Sequence, residues 1–176
     1  NNLTPKTNLI LNLNADFTQL QSNFSTNTKR NCNKAKTQDL SIDFDSKNVA
    51  EYMNFFQENA PHTLSTFHYV ALSEIVTQSI NKQKGFIILV KQNNEIVAAA
   101  FILKSTKRLI YRTGTSNQKG KVLKAMFLLL TKLIQQYANT NYTLDFEGSA
   151  IAGVARFYKG FGAKNKSYYY YKKYNN

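Results

Sequence analysis

The chain has 176 residues, 43% apolar and 13% aromatic, enough for a hydrophobic core and suited to one domain. One cysteine, Cys32, excludes a disulfide framework or a multi-cysteine metal site, and two histidines, His62 and His68, leave little for a histidine-based centre, so no metal is expected. No apolar run approaches the roughly 20 residues of a membrane span, and no signal peptide is visible. The expectation is a cytoplasmic domain, and an opening on Asn1 rather than Met points to a piece of a longer protein.

Alternation over 7–13 predicts a strand. A change of period at Asp16 then puts Phe17, Leu20 and Phe24 on one helical face with Asp16 as cap. A basic helix follows Ser25, running through Lys29, Arg30, Lys34 and Lys36. A short strand over 40–44 leads to a helix starting at Asp45 or Ser46 and ending near Pro61. The next helix spans 66–82, with Tyr69, Leu72, Ile75, Val76 and Ile80 inward, and Gly85 stops it. Strands over 86–91 and 95–104, joined by Asn93-Asn94, read as a hairpin, and 108–113 as a third strand. A helix over 119–138, a strand over 142–147, a helix over 149–160 and a strand over 167–174 complete the order. Mixed hairpins and βαβ crossovers imply an α/β fold, one mixed sheet flanked by helices on both faces.

Lys and Arg outnumber Asp and Glu by 23 to 10, a formal charge of +13. Residues 1–60 are neutral overall, whereas 61–144 carry +9 and contain no acid between Glu95 and Asp145. That stretch creates a positive potential for phosphates, nucleic acid or another polyanion, or is a solvated lysine-rich face.

Two turns stand out. Thr113 to Lys124 joins a strand to a long helix, and Gln118, Lys119, Gly120 and Lys121 stand where helix-start amides bind anions, Gly120 allowing close approach of the backbone. At the second, a strand ends in Asp145 and Glu147, and Gly148-Ser149 turns the chain, with Ser149 as helix cap. A helix follows with Ile151, Val154, Ala155, Phe157 and Tyr158 inward, closing on Gly160-Phe161-Gly162, a stop suited to a left-handed cap.

The segments FEGS, Phe146 to Ser149, and FYKGFGAK, Phe157 to Lys164, resemble the GNAT superfamily of N-acetyltransferases. Within it they are similar to FemAB-like proteins, the bacterial peptidoglycan-bridge aminoacyltransferase group. The resemblance covers the whole chain, 1–176, as a single GNAT-like domain, the C-terminal half of a two-domain protein whose N-terminal GNAT-like domain is missing here. Gln118 to Lys121 supplies one glycine where the superfamily's phosphate loop has a Gln/Arg-x-x-Gly-x-Gly/Ala pattern.

The resemblance implies acyl or aminoacyl transfer to an amine, from acetyl-CoA, another acyl-CoA or an aminoacyl-tRNA. The acceptor would be a small molecule or a peptidoglycan-type peptide. Tyr158 matches the tyrosine that protonates the leaving group, and Glu147 stands where a general base is expected. Gln118, Lys119, Gly120 and Lys121 correspond to the donor's phosphate site. Two alternatives stay open: a non-catalytic half-site module, and a tRNA-binding domain. Cys32, among Asn and basic neighbours, reads as non-catalytic, and Tyr168 to Tyr171 as sheet and cleft lining.

Overall fold

The structure, a computed structural model, describes residues 3–60, 64–148 and 151–172. In chain order the elements are β1 (Leu3–Lys6), β2 (Asn8–Asn12), α1 (Phe17–Ser22), α2 (Thr26–Lys36), β3 (Ser41–Ser46), α3 (Val49–Asn59), α4 (Thr66–Asn81), β4 (Gly85–Gln92), β5 (Glu95–Lys104) and β6 (Arg108–Ser116). There follow α5 (Gln118–Leu123), α6 (Ala125–Tyr137), β7 (Thr143–Gly148), α7 (Ala152–Gly160), β8 (Lys164–Asn165) and β9 (Tyr168–Tyr171).

Seven strands form one mixed sheet in the order β3-β4-β5-β6-β7-β2-β8, antiparallel except for β6 against β7. Alternation along β4 separates two cores. Phe86, Ile88 and Val90 face α1, α2, α6 and α7, while Ile87 and Leu89 face Tyr52, Phe55 and Phe56 of α3 and Leu72 and Val76 of α4. Helices therefore cover both faces, as the order of elements implies.

Local chemistry explains most boundaries. The Asp16 carboxylate accepts the Gln19 N–H at 2.9 Å, and Ser25 Oγ accepts that of Thr28 at 3.2 Å, so both helices start where a cap stands. Asn93 and Asn94 adopt φ of 51° and 66°, the two left-handed positions of a tight hairpin turn. Gly162, at φ 84°, follows α7 and donates its N–H to the Lys159 carbonyl, closing the helix as a left-handed cap.

Several boundaries differ from expectation. Asp45 and Ser46 belong to β3, at an irregular register, and Asn48 caps α3 instead, accepting the Glu51 N–H at 3.0 Å. Ile75 is 40% exposed, beside rather than within the Leu72–Val76 stripe. Ile151 is exposed at the start of α7. The helix expected over 119–138 is two helices, because Lys124 turns left-handed at φ 60°. Tyr168 to Tyr171 do not join the large sheet or line the cleft. They pair with β1 as a separate two-stranded ribbon and are 49–71% exposed. His62 and Ser149 lie outside the described residues. Among those described, no helix is long and apolar enough to cross a membrane.

Candidate functional site

The two parallel strands part company almost at once. Pairing of β6 with β7 covers Arg108 with Thr143, Leu109 with Leu144 and Ile110 with Asp145, yet β6 continues to Ser116 and β7 to Gly148. Both strands are irregular where they diverge. On β6, Phe101 of β5 faces Thr113 and Ile102 faces Tyr111, so Arg112 is an extra residue. On β7, Ile10 of β2 faces Asp145 while Asn8 faces Gly148, so one residue of the Phe146–Glu147 pair is extra there too. A bulge bends its strand and re-aims a side chain. Here two facing bulges open a cleft and bring Arg112 Nη1 to 3.2 Å from Glu147 Oε2 across it.

Glu147 itself is left-handed, at φ 53°. For a residue with a Cβ that conformation costs about 1–3 kcal/mol and persists only where the surroundings hold it. The holder is Asp145, whose carboxylate accepts the Glu147 N–H at 2.9 Å and pairs with Arg108 Nη1 at 2.5 Å. Of the two acids ending β7, Asp145 is thus buried and occupied, and Glu147 reaches the cleft.

The cleft is lined from both faces of the sheet. One cavity, about 350 Å³, is walled by Phe56, Ala60, Leu64 and Phe146 with Arg112 and Glu147; the other, about 410 Å³, by Asn59, Ser116, Lys121, Met126 and Phe157. Tyr111, Gly114, Val154 and Tyr158 line both. Tyr158, which α7 carries into the split, stacks on Phe146 at 4.2 Å between ring centroids and meets Tyr111 edge-on at 5.7 Å. Burial, and then the negative charge of Glu147, pushes its phenol up to about 12. Burial likewise drives the Tyr111 phenol well above the usual range, with Tyr158 and Tyr52 adding to the effect. Tyr52 shares a 2.5 Å hydrogen bond with Thr113, tying α3 to the cleft wall.

Tyr158 and Glu147, singled out in the sequence, thus meet in one cleft. Arg112 and Tyr111 were missed as site residues. The one mark beside them in the sequence is Gly114, where a Cβ would overlap the Tyr111 hydroxyl.

The basic turn is built differently from its sequence reading. Thr113 to Ser116 extend β6, and Asn117 alone links the strand to α5. Asn117 caps α5, its Oδ1 accepting the Gly120 N–H at 2.7 Å, and its Nδ2 donates to the Ile96 carbonyl at 3.2 Å. Gly120 is buried, and a Cβ there would overlap the Val97 carbonyl, so packing on β5 accounts for this glycine. Lys119 pairs with Glu95 at 3.2 Å, Gln118 is exposed, and Lys121 is the one of the four that lines the cleft.

No family model matches the chain, and no curated protein matches its sequence. Solved structures match it by fold. FemX superposes on 94% of this chain with a TM-score of 0.69 at 12% identity. A tandem GNAT protein from the clavulanic acid biosynthesis pathway matches 96% of the chain, with a TM-score of 0.59 at 7% identity. AAC(6')-Iy, solved with the bisubstrate analogue CoA-S-monomethyl-acetylneamine, matches 78%, with a TM-score of 0.55 at 8% identity. The chain spans 61% of FemX, 52% of the tandem protein and all of AAC(6')-Iy. The fold is therefore the GNAT fold, and the likeness to FemX runs through nearly the whole chain.

Proposed function

We propose that this chain transfers an acyl or aminoacyl group to an amine by direct attack in the split between β6 and β7. One observation carries this reading: a buried, protonated phenol and a carboxylate held on a strained bulge meet in one cleft lined from both faces of the sheet.

The amine enters on the Glu147 side and the donor on the Lys121 side. The amine nitrogen attacks the acyl carbon, and a new N–C bond forms as the C–S bond of an acyl-CoA, or the C–O bond of an aminoacyl-tRNA, breaks. Tyr158, still protonated at neutral pH because its pKa is near 12, gives its proton to the departing sulfur or oxygen. Glu147 accepts the proton that the nitrogen loses, directly or through water, and Arg112 stabilises the carboxylate. On the donor side, Lys121 and the amides that open α6 attract the phosphates that either donor carries. Gln118 and Lys119, exposed on the same turn, meet the donor's outer part, while Gly120 acts by seating the turn on β5.

FemX is longer than this chain, so the proposal for the whole protein includes a further GNAT-like domain and, as one acceptor, a peptidoglycan-type peptide. A second reading draws on the same 61% coverage: a half-site module that binds without turnover. The test offers acetyl-CoA, and separately aminoacyl-tRNA, with a panel of amines and reads amide product by mass spectrometry. The expected result is product from one donor, reduced about 100-fold or more by Tyr158→Phe. Saturable donor binding with no product from any amine would move the conclusion to the half-site module.

A further inference from the structure

The acceptor's chemical class follows from the Glu147 side of the cleft; this inference rests on the acylation reading and narrows it. At about 350 Å³ that cavity lies at the lower end of the roughly 300–1,000 Å³ typical of ligand sites, so it suits a small molecule. Phe56, Ala60, Leu64 and Phe146 make its walls apolar. Among the described residues its charged lining is a single pair, Arg112 and Glu147, presented from opposite walls.

That pair is poised to receive a ligand. Both side chains are 43% exposed, so their attraction is screened and rearranges cheaply. The Arg112 guanidinium has five N–H donors, so its contact with Glu147 leaves it able to bind a second carboxylate. Positive and negative centres thus stand side by side, 3.2 Å between Nη1 and Oε2. An α-amino acid carries the complementary pair on one carbon, with its amine nitrogen and carboxyl carbon roughly 2.5 Å apart by standard bond lengths and angles. Laid against the pair in the opposite sense, its amine meets Glu147, its carboxylate meets Arg112, and its side chain faces Phe56 and Leu64. A simple amine offers Arg112 no second carboxylate.

We infer that the acceptor is a free α-amino acid with an apolar side chain, Arg112 recognising its carboxylate and Glu147 its amine. Calorimetric titration of the full chain with L-leucine and L-phenylalanine tests this, beside isopentylamine and phenethylamine, which keep side chain and amine but lack the carboxylate. The amino acids should bind roughly tenfold or more tightly than their amines. Arg112→Gln should remove that preference, and Glu147→Gln should weaken amino acid and amine alike. Equal affinity of amine and amino acid in the unsubstituted chain, where no folding defect intervenes, overturns the inference, as does a preference that survives Arg112→Gln. Carboxylate-dependent binding without transfer from either donor keeps the amino acid site at Arg112 and Glu147 and removes the acylation reading. Transfer to amines without carboxylate preference does the reverse.

Discussion

Glu147 provides a sharp test because its backbone and its side chain pull in opposite directions. A left-handed residue with a Cβ costs about 1–2 kcal/mol more than glycine, and φ at Glu147 is 53°. Glycine returns part of that gain, about 0.4–1 kcal/mol, through its more flexible unfolded chain. The Glu147→Gly variant should therefore be more stable than Glu147→Ala by about 0.5–1 kcal/mol. Loss of the half-exposed Arg112 pair, at most about 1 kcal/mol, is common to both variants and cancels. The N–H donated to Asp145 also survives in both. Urea unfolding of the two variants side by side measures the difference, which corresponds to a melting temperature roughly 1–4 °C higher for the glycine variant. Both should lose transfer. An alanine variant as stable as the glycine variant would refute the claim that strain is stored at this bulge.

Further outcomes follow from the same geometry. Asp145→Ala should destabilise by about 2–3 kcal/mol in urea unfolding, short of the 3–5 for a fully buried pair because Arg108 is 44% exposed. Gly114→Ala should destabilise by about 1–3 kcal/mol through overlap with the Tyr111 hydroxyl, and adding Tyr111→Phe should restore much of that in a double-mutant cycle. The Tyr158 phenol is raised in the folded state, so its contribution is fully present below the ordinary pKa near 10 and is lost as pH climbs from there toward 12. Alkaline unfolding titrations should show Tyr158→Phe losing about 2–3 kcal/mol less than the unsubstituted protein over that window.

Much of this architecture is legible residue by residue. Asp16, Ser25, the Asn93-Asn94 turn and Gly162 each declare a boundary through their own side chain or lack of one, and the apolar runs of β4 and β5 fix the sheet's centre. Tyr158 and Glu147 are visible because a strand, a turn and a glycine-stopped helix are local patterns. The bulges are not, since an extra residue exists only relative to a partner strand, and β5 and β2 lie far away in sequence. Arg112 therefore reads as one more basic residue in a basic stretch. Lys124 hides for a related reason: it falls on the polar side of one continuous apolar repeat, which carries no mark of a single left-handed residue. Tyr168 to Tyr171 alternate like an ordinary strand, and only the pairing with β1 sets them apart.

The central claim is that the split between β6 and β7 is where donor and amine meet. A crystal structure with desulfo-CoA bound tests it most directly. The account predicts the pantetheine end in the split, within hydrogen-bonding reach of Tyr158, and the phosphates beside Lys121. Ligand lodged instead away from the split, in the groove lined by Met53 and Gln57 of α3 and Tyr69 and Ser73 of α4, with the split unchanged, would contradict it.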